Sequence, residues 1–393
     1  MGKNANGEGS IYRRTKDGKV VRYEGALTYD DPETGKSRRH TVYGKTRPEV
    51  REKLKIARDR LAAGGPVKDA KRSVANWLEH WRKTTLAASD RKESTRALYE
   101  NLSRNHLERE PFGRITLDKL KPSDVEGLVL TLRRSTKTSI DGPVRALADS
   151  TIRTTYTVLR AALDGAVRDG LLARNPAAAI KRPGVERIEA KHVESVDVTA
   201  LLGAAKDSRY RPALVLIAAT GLRRGEALAL RWEHVDLDAG ALLVRGTLGR
   251  INGRLLVTEP KTARSRRAVP LSPAVVALLR THRKAQLEER MRAANVWQET
   301  GHVFTTESGL PVDPRNLLRV ITAAAKAANL EGVGVHTLRH SAAVAWLEAG
   351  VHIKAVSDLL GHSSIAITGD VYGHTSDNTA RSAIDGLSSA LGL

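Results

Sequence analysis

The run LGHSSIAITGDVYGHT near the C-terminal end sets Tyr372 ten positions after His362 and two before His374. Three other stretches place cationic or imidazole groups at defined spacing. In TGLRRGEALALRW, Arg223 and Glu226 stand at i, i+3 just behind Gly221. In TEPKTARSRRAVPL, Lys261 falls in the turn between two strand-like runs, and in HTLRHSAAVAWLEAG, His336 and Arg339 share one helix face. Each motif alone has an ordinary reading: a surface ion pair, a solvated lysine, a capping pair, a core tyrosine. Together they fit one chemistry, the opening of a phosphodiester by a phenol. That reaction builds negative charge on the non-bridging oxygens, where two guanidinium groups can each offer two parallel N–H donors. Their field lowers the phenol pKa from its usual value of about 10. An ammonium can protonate the leaving 5′-oxygen, and an imidazole can accept the phenolic proton. With arginines supplying positive charge, neither a metal nor any other cofactor is expected, and no carboxylate cluster argues for a metal nuclease. No phosphate-binding G-x-x-x-x-G-K-[ST] loop is present, so ATP is not expected either.

The whole chain has a charge that suits such a substrate. Sixty-five Lys and Arg against 44 Asp and Glu leave a net +21 over 393 residues, with the cations spread through every segment. A polyanionic partner is the expectation, wrapped along its backbone rather than held by a basic tail. Cysteine is absent, which excludes disulfides, thiol nucleophiles and cysteine metal sites. There is no apolar run long enough to span a membrane and no apolar N-terminal leader, so a cytoplasmic, nucleoid-associated location in a bacterial host is expected.

The elements that must position these groups fall into three parts. In residues 1–65, SIYRRTKDG, KVVRYEGALTYD and SRRHTVYG read as three short strands. TRPEVREKLKIARDRLAAGG reads as a helix, with Thr46 as N-cap and Pro48 in its first turn. This part carries 16 basic and 9 acidic side chains, and a small basic sheet suits a DNA groove. Arg13, Arg14, Lys16, Arg22, Arg38 and Arg39 are its candidate DNA-binding residues. Residues 66–183 hold four helical patterns, with 135–149 reading as a loop between the last two. From residue 184 onward, helical runs give way to the strands GALLVRGTLG, GRLLVTEPKT and RRAVPL and then resume. In the tail, Ile384, Leu387 and Leu391 form one apolar stripe, suited to docking on the chain's own core or on a neighbouring protomer.

The four C-terminal motifs in this order, with GSIYRR…GKTRPEVREKL at the other end, resemble the tyrosine recombinase family of phage and mobile-element integrases over nearly the whole chain. The fold the resemblance implies is mainly α with small β elements: a β-sheet-plus-helix arm-site DNA-binding module (1–65), a helical core-binding domain (66–183), and a mixed, mostly helical catalytic domain with a C-terminal tail helix (184–393). It also implies roles. Arg223 and Arg339 would be the catalytic arginines, Lys261 the general acid, His336 and His362 the imidazoles, and Tyr372 the nucleophile, with Glu226 bracing Arg223. The expected function is site-specific integration, and possible excision, of a phage or mobile element through a covalent 3′-phosphotyrosine link. The implied partners are double-stranded DNA with core and arm attachment sites, a tetramer assembled on it, a host DNA-bending protein and a directionality factor. The alternatives are a non-catalytic DNA-binding architectural protein on the same scaffold and a chromosome-dimer resolvase. Two departures from the family stand out. Thr337 occupies a place where an Asp is common, and Gly369, three residues before Tyr372, costs a helix about 1 kcal/mol.

Overall fold

The computed structural model describes residues 10–16, 19–30, 37–62, 72–139, 142–186, 192–259, 266–362 and 364–372, and the backbone alone at 16, 19, 30, 38, 60–62, 367 and 370–372. The chain divides into two compact units, Met1–Arg187 and Ile188–Leu393.

The first unit opens with an antiparallel sheet of β1 (Ser10–Lys16), β2 (Lys19–Asp30) and β3 (Ser37–Gly44), in that order. Helix α1 (Arg47–Ala62) covers one face of it. Thr46 Oγ1 accepts from the Glu49 amide at 3.3 Å, the N-cap its residue type suggested. Strand alternation turns Leu27, Tyr23, Tyr29 and Val42 toward Val50, Leu54 and Ala57 of α1.

The remainder of this unit is helical: α2 (Val74–Trp81), α3 (Glu93–Leu102), α4 (Pro122–Arg134) and α5 (Asp149–Arg168). On α5, Ile152, Tyr156, Leu159, Leu163 and Ala166 recur at 3 and 4 spacing and are fully or almost fully buried. They enclose Trp77 and Trp81, and the Trp77 indole N–H donates to Ala162 O at 2.8 Å. A buried ion pair, Arg82 to Glu108 at 2.8 and 2.9 Å, is closed by the Ser103 hydroxyl donating to the same carboxylate. The stretch expected to be a loop contains a two-stranded hairpin, β4 (Thr136–Ser139) and β5 (Gly142–Arg145). Its strands are exposed on both faces, so no apolar alternation announces them.

The second unit has one large core and a smaller cluster in which Ala343 packs with Val356 and Leu360. Helices α6 (Ser195–Ala204), α7 (Arg211–Thr220) and the short α8 (Arg224–Leu228) precede the strands β6 (Val235–Asp236), β7 (Ala241–Val244), β8 (Thr247–Ile251), β9 (Arg254–Thr258) and β10 (Arg267–Pro270). Then come α9 (Pro273–Ala293), α10 (Pro314–Ala327), α11 (Val335–Glu348), α12 (Ile353–Leu360) and α13 (Ile365–Tyr372). The run GALLVRGTLG is two strands rather than one: β7 joins a sheet of order β10-β7-β6, while β8 pairs with β9 as a separate hairpin. Leu214, Leu216 and Ile217 of α7 pack with Leu279, Leu317, Ile321 and Leu338 from α9, α10 and α11 at the centre. Thus α7, α8, α11 and the strand–turn segments meet around one core, and the fold is mainly α with small sheets.

Candidate active site

Helix α7 ends at Gly221 in the left-handed conformation (φ 61), where a Cβ would stand 2.8 Å from Leu360. The chain therefore turns sharply and opens α8 with Arg223 as its N-cap. Glu226, one turn into α8, accepts from the Arg223 amide at 3.0 Å and from Arg223 Nη1 at 2.8 Å. The i, i+3 spacing read from the sequence is thus a cap and an ion pair made by the same carboxylate. Burial works to raise the Glu226 pKa, but hydrogen bonding and charge from Arg267, with the Arg223 charge, hold it below the usual carboxylate value. The group is an anion.

Helix α12 ends at Gly361, also left-handed (φ 64). His362 N donates to Ser357 O at 3.0 Å and Gly361 N to Asp358 O at 3.0 Å, a terminal motif that fixes where His362 leaves the helix. The last carbonyls of the helix have no intrahelical donors and carry its negative pole. Three arginines from separate elements supply donors. Arg339 of α11, 3% exposed, gives Nη2 to Leu360 O at 2.9 Å and Nη1 to Gly221 O at 2.6 Å. Arg223 gives Nη1 to Leu360 O at 3.4 Å and Nη2 to Gly361 O at 3.3 Å. Arg267 of β10 gives Nε to Leu359 O at 2.6 Å and Nη2 to Glu226 at 2.9 Å.

His362 is buried, and its Nδ1 bonds to Thr368 Oγ1 at 2.8 Å. Burial lowers its pKa to about 4, helped by the charges of Arg339, Arg223, Arg267 and His340. His336 is half-buried on α11, its pKa also lowered, first by burial and then by Arg339, Arg224 and Arg223. Both imidazoles are neutral at pH 7 and so retain a lone pair able to accept a proton. His336 and Arg223 line one open cleft of about 380 Å³ with Arg224, Arg250, Asp313 and Arg315. Such a surface presents several cations to an extended anion.

Thr337, the departure noted above, is the N3 residue of α11, and its hydroxyl accepts from the Gly334 amide at 3.0 Å. It does for the helix start what a carboxylate would do. Helix α13 runs through Gly369 without interruption to Tyr372. The Tyr372 side chain, Lys261 and the tail bearing Ile384, Leu387 and Leu391 lie outside the described residues; β9 and β10 flank the segment that holds Lys261.

On the N-terminal sheet, the cross-strand pairs Tyr12↔Glu24↔Tyr43 and Arg14↔Arg22 occupy the face turned away from α1, and Arg39, opposite Thr28, joins them. Arg14 Nε bonds to Glu24 at 2.8 Å, and the Arg22 guanidinium lies 4.6 Å from the Tyr43 ring centre. Arg13 pairs with Tyr23, so alternation assigns it to the face that α1 covers, although it is exposed on its edge strand. The side chains of Lys16 and Arg38 are outside the described residues. Of the four candidate cations whose side chains are described, Arg14, Arg22 and Arg39 share a face and Arg13 does not.

Sequence reasoning missed Arg267, Arg224, Arg250, Arg315 and His340. Arg267 had a signal in RRAVPL, where period-2 alternation puts it on the same side as the buried Val269. His340, at i+4 from His336 on α11, had the same-face spacing, and burial lowers its pKa.

Residues 191–379 match the sequence model of the Phage integrase family. The chain is 29% identical over 391 residues to a "Tyrosine recombinase XerC-like" protein of Caldanaerobacter subterraneus subsp. tengcongensis, covering 95% of this chain and 97% of that one. Among solved structures it is similar to the Tn1549 transposon integrase in complex with a circular intermediate DNA, at TM-score 0.65 and 20% identity over 80% of this chain and 99% of that one. It is also similar to a lambda integrase tetramer bound to a Holliday junction, at TM-score 0.56 and 19% identity over 95% and 99%.

Proposed function

The chain belongs to the tyrosine recombinase family and is a site-specific integrase, and on that premise we propose that it cuts and rejoins DNA with Tyr372 as nucleophile and Arg223 and Arg339 as the phosphate clamp. The observation that supports this most is the shared acceptor: two guanidinium groups from separate elements reach one oxygen, that of Leu360, beside a neutral, buried imidazole. A scissile phosphate needs the same convergence. Tyr372 attacks phosphorus, a P–O bond forms to its phenolic oxygen, and the 5′-oxygen leaves with a proton from Lys261. The phenolic proton passes to an imidazole, His336 or His362. A 5′-hydroxyl of the partner strand then attacks the 3′-phosphotyrosine and frees the tyrosine, so the bond energy is conserved.

Residues 1–65 act as the arm-site module through the Arg14, Arg22, Arg39, Tyr12, Tyr43 face, residues 66–183 bind the core site, and 184–393 perform catalysis. Two linked binding modules raise the effective concentration of each at its own site. Strand exchange takes four protomers on two duplexes. Bridging arm and core sites calls for bent DNA, and with it a host DNA-bending protein and a directionality factor. The setting is the cytoplasm of a bacterial host; no helix among the described residues is long and apolar enough to cross a membrane. The test is a nicked duplex carrying the element's own attachment core. A detergent-resistant protein–DNA adduct forms with the wild-type protein and is lost in Tyr372→Phe. Tight binding of this duplex by the wild-type protein without any adduct would favour the architectural alternative.

A further inference from the structure

Arg267 lies at the start of β10, in the same run as Lys261 but with no role assigned from the sequence, and it touches two parts of the site at once. Its Nη2 donates to Glu226 Oε2 at 2.9 Å, and its Nε donates to Leu359 O at 2.6 Å. Its side chain is 7% exposed and that of Glu226 3%. The guanidinium also packs beneath Gly361, where a Cβ would fall 2.8 Å from Nη1. Burying an arginine is costly, and an apolar side chain would fill a strand-to-helix space at less cost. What an apolar residue could not do is hold two acceptors on different elements in fixed directions, which the planar fork of arginine does.

Resting on the function proposed above, we infer that Arg267 is a positioning residue of the cleavage step, tying the carboxylate that braces Arg223 to the last turn of α12 ahead of His362. Its bonds act in two ways. Glu226 Oε2 is shared between Arg267 and the Arg223 amide, while Oε1 faces Arg223 Nη1, so Arg267 fixes the carboxylate plane that aims Arg223. One carboxylate is shared between the two guanidinium groups, so Glu226 braces Arg223 without being committed to it alone. Through Leu359 the same side chain sets the end of α12, from which His362 and then α13 with Tyr372 depart.

The experiment measures the single-turnover rate of covalent adduct formation on the nicked core duplex, with the Kd for that duplex and the thermal midpoint, for wild type, Arg267→Lys, Arg267→Met, Glu226→Gln and the Arg267→Met/Glu226→Gln pair. The expected result is a rate at least tenfold lower in both Arg267 variants with Kd changed less than twofold. The double variant is expected to lose less than the product of the two single losses, because the two residues share one interaction while each keeps a contact of its own. Lysine fails because one ammonium cannot span both acceptors. A wild-type rate in both Arg267 variants overturns the inference while leaving the function standing. So does a rate loss matched by weaker binding or by unfolding in both, which assigns Arg267 to stability, and so does simple additivity in the double variant. An absence of adduct in the wild type overturns the function itself and the inference with it.

Discussion

Arg223 and Arg339 donate to a single oxygen, the carbonyl of Leu360, at 3.4 and 2.9 Å. One comes from the N-cap of α8 and the other from the first turns of α11, so their meeting is a tertiary fact that neither motif contains. The helix terminus that receives them carries partial negative charge. In this arrangement the pair is already gathered where an anionic oxygen would be held.

If the pair clamps the scissile phosphate, shape matters as much as charge. Arg223→Lys and Arg339→Lys keep the cation and lose the paired N–H donors. Each is expected to lower the cleavage rate by about 100-fold to 1,000-fold, the usual loss for one transition-state donor. Kd for the core duplex should move much less. Single-turnover cleavage beside a binding titration separates the two effects, and equal losses in both would speak against a transition-state role.

The pH dependence of stability follows from His362. Its folded pKa is about 4 against about 6.5 for an unfolded histidine. Between those values the unfolded chain holds the proton that the folded one lacks, so stability rises with pH across the window and is lost as pH falls from about 6.5 toward 4. His362→Asn should flatten that slope by at most about one proton, or about 1.4 kcal/mol per pH unit. Denaturant melts at several pH values check this; His282, His302, His336 and His340, whose pKa values are lowered by burial, keep part of the slope in the variant.

Much of this frame was legible in the string of residues. Thr46 marks a helix start that the structure uses as a cap, and the spacing of His336 and Arg339 puts both on α11. Capping and turn chemistry are local, and local chemistry can be read from neighbours in the chain. The misses are non-local or lack an apolar pattern. The hairpin of β4 and β5 has two exposed faces, and the break between β7 and β8 exists because β10 returns from far along the chain to pair with β7. Alternation in RRAVPL marks Arg267 as inward-facing, but its partners Glu226 and Leu359 emerge only from the tertiary fold.

Thr337 predicts a stability effect separable from chemistry. Thr337→Val removes the hydroxyl that accepts from Gly334 N and keeps the shape. It should cost about 1 kcal/mol of stability, visible as a lower denaturation midpoint, with the cleavage rate of the folded fraction close to wild type.

The exposed face of the N-terminal sheet makes a claim about salt. Removing Arg14, Arg22 or Arg39, each as an alanine variant, should lower the salt slope of arm-site binding by about 0.9 for each phosphate that the arginine neutralises. Arg13→Ala should change it less, because its partner Tyr23 places it on the face that α1 covers. A binding isotherm series across salt concentrations reads the difference directly.

The most direct test of the account is to trap the wild-type protein on a nicked duplex carrying its attachment core, digest the adduct, and identify the DNA-linked residue by mass spectrometry. The account predicts a peptide joined through Tyr372 to a 3′-phosphate, with a free 5′-hydroxyl on the released strand. A link at any other residue, or to a 5′-phosphate, would contradict it.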